Sequence, residues 1–329
     1  MENIREAIEG LMNKRKLDQR FQSVMKTVYQ DPEVVAFCQT HQAELTTEAL
    51  ERGAAKLYEF VNERRKIARH EPSFLPGYEP QLVLSNHLID IEYVPTKEMT
   101  MRRQAAQRQA LVKSISMPKM IRRADFSDYY QEPDRNIALS KTMDFVAAYD
   151  QAPDQFHRGL YLTGSFGVGK TYLMGAMANE LAKHNYSTTI VHFPSLAVEL
   201  KNTIGDSKEI QSKLDAVKQA PILVIDDIGA DSISAWVRDD ILGVILEYRM
   251  QEELPTFFTS NFSMEQLEKE HLTVNQRGEA EPLKAKRLME RIKFLSEEVT
   301  LIGKNHRQGW QAILNGYNEV VNQSQTCSF

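Results

Sequence analysis

Hydrophobic positions along this chain change their period twice. Over roughly the first 95 residues they recur at helical spacing. DPEVVAFCQTHQ opens with Asp31 as an N-cap and Pro32 at the first helical position. TTEALERGAAKLYEFVNERRK sets Leu50, Ala54, Leu57, Tyr58 and Val61 on one helical face. The period then drops to two. In QLVLSNHLIDIEYV, Ile89, Ile91 and Tyr93 alternate with Asp90 and Glu92 beyond a Ser85-Asn86 turn, which predicts a β-hairpin. Together these segments make a small α+β domain over residues 1–95.

The pattern weakens between residues 96 and 120. From Thr96 to Arg123 there are eight basic residues and one acid, Glu98. The polar centre, RRQAAQRQALVKS, predicts a linker built on a basic helix, either a solvated face or a contact for nucleic acid or an acidic partner. From residue 121 to 312 short apolar runs alternate with helical stretches. GLYLTG, STTIVHF, PILVIDD, PTFFTSN and VTLIGK read as five strands, with PILVIDD apolar on both faces as a buried parallel strand is. In KTYLMGAMANELAKHNY, Leu173, Met177 and Leu181 share a helix face. The alternation predicts an α/β fold with a doubly wound parallel sheet between helices. Residues 313–329 form a C-terminal tail without a readable role.

Composition changes this picture little. An apolar fraction of 42%, a charged fraction of 26% and a net charge of −5 describe an ordinary globular chain, so any nucleic-acid contact must use a local patch. Cys38 and Cys327 are the only cysteines, too few for a disulfide framework, which fits a reducing, cytoplasmic setting. No apolar run approaches membrane-spanning length and the first residues lack a signal-peptide apolar region, so no membrane association is expected.

The chemistry lies at GSFGVGKT, Gly164 to Thr171, which fits the phosphate-binding loop G-x-x-x-x-G-K-[ST] between a predicted strand and helix. Gly164, Gly167 and Gly169 let the backbone around Ser165, Phe166 and Val168 turn its N–H groups inward, and the following helix N-terminus adds partial positive charge. Lys170 is placed for the β- and γ-phosphates of ATP and Thr171 for Mg²⁺. In ILVIDD, Asp226 ends a buried strand as the carboxylate that holds magnesium, usually through water, and Asp227 is the candidate to polarise the attacking water. An aspartate is one methylene shorter than the glutamate many ATPases carry there, so slow, switch-like hydrolysis is expected. Asn261 ends PTFFTSN, where it would orient that water. Arg287 and Arg291 share a face of the helix AKRLMERI, at the sheet edge, where an arginine reaches a neighbouring subunit's nucleotide better than its own; surface ion pairs are the plainer alternative.

These features together resemble the AAA+ ATPase core. YLTGSFGVGKTYL, VIDDIGADSISAWVRDDILGVILEYRM, LPTFFTSNFSMEQL and QRGEAEPLKAKRLMERI, with LYEFV, GYEPQLV and IDIEY upstream, resemble the primosomal DnaI family of helicase loaders, related to DnaC and IstB. The resemblance implies an AAA+ domain without a full helical lid, since only 68 residues follow Asn261. It implies an N-terminal domain that grips a DnaB-type replicative helicase, an ATPase domain that binds single-stranded DNA, and self-assembly on the helicase. By motif position Asn261 corresponds to sensor 1, Arg291 with Arg287 beside it to the arginine finger, and Arg307 to a sensor 2-type arginine. An IstB-like transposition ATPase and a P-loop small-molecule kinase remain alternatives.

One departure from the family stands out. Its N-terminal domain can carry a zinc site of cysteines and a histidine, but NERRKIARHEPSFLPGYEP and IEYVPTK contain no cysteine, and His70 alone cannot build a tetrahedral site. No zinc is expected, and packing of Phe74, Leu75, Tyr78 and the hairpin is expected to stabilise the domain instead. In the insertion before PILVIDD, Ile210, Leu214 and Val217 form an apolar stripe with Lys201, Lys208, Lys213 and Lys218 around it. Such lysines suit a sequence-tolerant, salt-sensitive DNA contact, and equally a solvated helix with acidic neighbours.

Overall fold

The computed structural model describes residues 19–115, 117–129, 135–203, 205–230, 233–273 and 280–305, and the chain divides into two compact units near residue 105. The first 18 residues, Arg307 and the tail 313–329 lie outside the described residues.

The first unit follows the predicted order. Helices α1 (Gln19–Tyr29), α2 (Pro32–Thr40) and α3 (Thr47–Ala68) precede a hairpin of β1 (Tyr78–Ser85) and β2 (Leu88–Pro95). Asp31 caps α2 by accepting the Glu33 N–H at 3.1 Å. The hairpin turn sits one residue later than expected, on Asn86 and His87, both in the left-handed region (φ 50° and 60°), the geometry a two-residue turn needs to match strand twist. Leu50, Leu57 and Val61 of α3 are buried with Phe60 against Val28, Val34, Leu82 and Ile89. Tyr58 leaves the predicted stripe and stands 47% exposed.

Phe74 and Leu75 do not supply the packing expected of them, at 74% and 37% exposed. Their segment is held by a polar anchor instead. Glu63, buried in α3, accepts the Phe74 N–H at 2.7 Å and the Lys66 ammonium at 2.6 Å. Among the described residues no group of three or more metal-ligating side chains gathers, and His70 is exposed.

Helix α4 (Lys97–Leu111) buries none of its residues and contains the predicted basic run. It stops earlier than expected. Val112–Ile115 is strand β3, which pairs in parallel with residues 188–191 and so brings the edge of the next sheet upstream of residue 121. The β-branched Val112 and Ile115 favour a strand, which the polar run before them concealed.

The second unit is a six-stranded parallel sheet in the order β3-β5-β6-β7-β4-β8, with β4 (Gly159–Thr163), β5 (Thr188–His192), β6 (Ile222–Asp226), β7 (Thr256–Ser260) and β8 (Ser296–Thr300). The last strand is SEEVT, three residues ahead of the expected VTLIGK. Its inward residues are only Ser296 and Val299, so its apolar signal is weak. Helices α5 (Asn136–Gln151) and α6 (Lys170–Lys183) cover one face, packing Phe145, Leu173, Met177 and Leu181 on Leu160, Leu162, Ile222 and Val224. On the other face α7 (Phe193–Asn202), α8 (Ser207–Lys218), α9 (Gly243–Gln251) and α10 (Pro282–Leu295) pack on Leu223, Ile225 and Phe258. Alternate residues of each strand thus feed two cores. Arg249 of α9 is fully buried and donates to the carbonyls of Lys218, Ala220 and Pro255 and to the Thr256 hydroxyl, pinning the entry ends of β6 and β7. Burial pushes it down to about 9, so it stays charged at neutral pH.

The Lys66 ammonium, then the Phe74 N–H, hold the Glu63 carboxyl below its ordinary value. Its stabilisation is therefore complete above the unfolded-chain value and fades as pH falls through the lowered one. Glu63→Ala should cost the first unit about 2 kcal/mol, as loss of a charge-assisted hydrogen bond does. Hydrogen exchange in the intact chain should show faster exchange across residues 69–77, with the second unit unchanged.

Candidate functional site

The site lies at the carboxyl ends of β4, β6 and β7, where β4 is set between β7 and β8. The loop Gly164–Gly169 leaves β4 and enters α6 directly. Gly167 (φ 76°) and Gly169 (φ 98°) adopt the left-handed region. A side chain would be strained at either φ. A Cβ on Gly167 would strike Asn305, and one on Gly169 would strike the Arg135 guanidinium. Val168 is buried in the core, and Phe166 is 61% exposed on the outside of the loop.

Lys170 is 7% exposed, and its ammonium donates to the Gly164 carbonyl (2.6 Å), the Ser165 carbonyl (2.9 Å) and Asn261 Oδ1 (2.8 Å). Asn261 turns its amide nitrogen to Asp227 Oδ1 at 3.1 Å. The predicted lysine, sensor asparagine and water-polarising aspartate are thus one hydrogen-bonded chain. Thr171 donates to Asp226 Oδ1 at 2.8 Å, so the two predicted magnesium ligands are adjacent. Asp227 has a left-handed backbone (φ 62°), rare for a residue with a side chain, which swings its carboxylate out of the strand direction.

Several residues of the site were not read from the sequence. Thr259 Oγ1 donates to Asp226 Oδ1 (2.7 Å) and accepts the Asp227 N–H (2.9 Å), fixing both acids. Its signal was a polar residue inside the strand FFTS, two before Asn261. His192 ends β5 abreast of Asp226, with Nε2 3.8 Å from Asp227 Oδ2 and Nδ1 2.7 Å from Ser195 Oγ. Arg135, 1% exposed, donates to the Val168 carbonyl and lies 4.7 Å over the Tyr129 ring. Asn305, beyond β8, lies against Gly167.

The arginines of α10 are not at this loop. Arg291, 16% exposed, pairs with Glu247 at 3.1 Å and donates to the Gly243 carbonyl at 3.0 Å, while Arg287 is exposed. With Met250, Glu290, Lys293 and Phe294 they line an open surface hollow of about 690 Å³. In the insertion, Leu214 and Val217 are buried and Ile210 packs beside them. Lys213 is tied to Glu199 and Glu209, and Lys218 to Asp215, which leaves Lys201 and Lys208 as the exposed pair of the four.

Residues 1–93 match the family model described as the primosomal protein DnaI N-terminus, and residues 83–308 match that of IstB-like ATP-binding proteins. The replicative helicase loader DnaI of Bacillus subtilis is 37% identical over 313 residues, covering 93% of this chain and 99% of its own. This chain belongs to the DnaI family of helicase loaders. A crystal structure of DnaI is 47% identical and covers 60% of this chain and 98% of its own, with a TM-score of 0.52. The helicase loader DnaC of Escherichia coli is 28% identical over 146 residues, 44% of this chain and 58% of its own. The AAA+ family assignment makes the phosphate loop a nucleotide site. The IstB-like match alone would suit a transposition ATPase; the N-terminal match and the end-to-end likeness to DnaI set the loaders apart from it.

The donor set fits a magnesium nucleotide. Asp226 is 4% exposed, and burial, the largest influence, pushes its carboxyl above the usual range against the Thr259 and Thr171 hydroxyls that favour the charge. A buried carboxylate with hydroxyl partners is costly until a cation joins it. Asp226→Asn should therefore raise the melting temperature of the nucleotide-free protein, by about 2–4 °C for each kcal/mol relieved. The same variant should lose the further rise that wild type gains with Mg²⁺ and ATP, measured by thermal denaturation.

Proposed function

We propose that this chain is an ATP-dependent loader that places a hexameric replicative helicase on single-stranded DNA as replication starts or restarts. The observation that carries the reading is the Lys170–Asn261–Asp227 chain, which joins the phosphate loop to the ends of β6 and β7 in a protein of DnaI architecture. The N-terminal unit is the reading's helicase grip, and self-assembly on the helicase places Arg287 and Arg291 at a neighbour's nucleotide.

Each residue's part follows from its place. ATP with Mg²⁺, when bound, supplies the phosphoryl charge and the bond to be hydrolysed. Thr171 and Asp226 are the residues to hold magnesium, the glycine loop and Lys170 the phosphates. Asp227 polarises water, and Asn261 fixes the Asp227 carboxylate while its oxygen senses whether Lys170 is engaged elsewhere. Aspartate's short reach makes hydrolysis slow, as befits a switch. Lys201 and Lys208 of the insertion are the lysines to contact a DNA backbone.

Two experiments test this. In a pull-down with the host's replicative helicase, wild type should capture it with an ATP dependence that Lys170→Ala loses; no capture in any condition defeats the loader reading. Anisotropy titration of a fluorescent oligothymidine should show ATP-dependent, salt-sensitive binding. Lys201→Ala and Lys208→Ala should each weaken it and lower the salt slope by about 0.7, the single-strand value per phosphate contact. Binding that ignores both ATP and salt removes the DNA role.

A further inference from the structure

The phosphate loop and the hollow on α10 stand at opposite ends of one parallel sheet. The loop leaves the carboxyl end of β4, whereas α10 runs into the amino end of β8, which pairs in parallel with β4. Arg158, just ahead of β4, donates to the Lys293 carbonyl in the last turn of α10 and so fixes that end of the helix. The five residues of β4 set the two ends about 17 Å apart. Within one chain the loop and the hollow therefore do not meet.

Each end presents an aromatic ring to solvent. Phe166 in the loop is 61% exposed, and Phe294 in α10 is 43% exposed. Phe294 is held in place, its ring stacked on Phe156 at 5.2 Å with the planes 11° apart, and it lines the hollow beside Met250. Phe294 stands seven residues beyond Arg287 and three beyond Arg291, so the three side chains share a face of α10. Arg291 is committed to Glu247 and the Gly243 carbonyl, and Lys293 to Glu290 and Glu268. Arg287 makes no ion pair among the described residues, and the phosphates of a nucleotide on another copy have the charge to suit it. An arginine that touches phosphate brings its own helix against the loop that holds that phosphate. The exposed ring of the loop then meets the exposed ring on the arginines' face of the helix.

We propose that copies of this chain join head to tail, with Phe166 of one seated against Met250 and Phe294 of the next. This rests on the reading that Arg287 and Arg291 serve a neighbour's nucleotide. Two different surfaces meet, so the contact is heterologous and builds a ring or an open helix. Burial of the two rings anchors the interface and sets its register. The phosphates draw Arg287 only when nucleotide is bound, so assembly follows occupancy of the loop.

Disulfide trapping in the full chain tests this. Cys327→Ser removes the tail thiol, and Cys38, which is buried, is kept. Chains carrying Phe166→Cys are mixed with chains carrying Phe294→Cys and oxidised with ATP and Mg²⁺, with and without the host's replicative helicase. The mixture should give a linked dimer holding one of each, and each preparation alone should give none. No mixed dimer in either condition overturns the proposal, and so does a dimer from Phe166→Cys alone, the product of a symmetric contact. Phe294→Ala gives a readout without thiols. It should still melt cooperatively, and its ATP-dependent self-association should be about tenfold weaker in sedimentation, as loss of an aromatic interface anchor makes it. Self-association as strong as wild type also overturns the proposal. Helicase capture by wild type is scored separately, so the aromatic seat can fail while the loader reading stands, and the reverse.

Discussion

The nucleotide site is organised around one awkward charge, the Asp226 carboxylate, almost wholly buried at the end of a parallel strand. Parallel strands with apolar faces on both sides give it no water, and its hydrogen-bonding partners are the hydroxyls of Thr171 and Thr259. Two hydroxyls lessen the desolvation cost of a carboxylate without cancelling it. The remaining deficit is what makes the position receptive to a divalent cation. It also explains why Thr259 belongs to the site although it meets no phosphate. By bonding both Asp226 and the Asp227 backbone, it transmits the position of β7 to each acid.

From that anchor the polar groups run outward in two directions. One leads through Asp227 and Asn261 to Lys170, and hence to the phosphate loop. The other leads through His192 to Ser195 and the start of α7. The left-handed backbone of Asp227 is what lets one carboxylate face both. Such a conformation costs on the order of 1–3 kcal/mol unless its surroundings impose it. Here the Thr259 hydroxyl on its N–H and the bond from the Ile228 N–H to the Thr259 carbonyl do so.

How far the sequence could be read depended on whether a feature was local. GSFGVGKT, ILVIDD and the N-cap at Asp31 each fix their geometry within a few residues, and all are found where expected. Thr259 and His192 were invisible because their meaning comes from parallel register, which brings residues 192, 226 and 259 together without any sequence period. Arg135 and Asn305 were missed for the same reason, lying 33 and 138 residues from the loop glycines or valine they touch. SEEVT was misplaced because an edge strand with two buried side chains has almost no apolar signature. Phe74 misled in the opposite sense. An aromatic was taken for packing where a buried glutamate anchors the segment.

The same contrast of local and distant bears on function. Every part of the phosphate site recurs in ATPases that move, build or cut quite different things, so no refinement of its geometry names the cargo. What is particular to this chain lies outside the loop: a first unit with its own core and hairpin, a basic helix with no buried residue, and a helical insertion that begins at the histidine beside Asp227. An ATPase that acts on another protein and on DNA needs its hydrolytic group connected to surfaces far from the phosphate. His192 is where the backbone makes such a connection, since the residue abreast of Asp226 also stands at the N-cap position of α7.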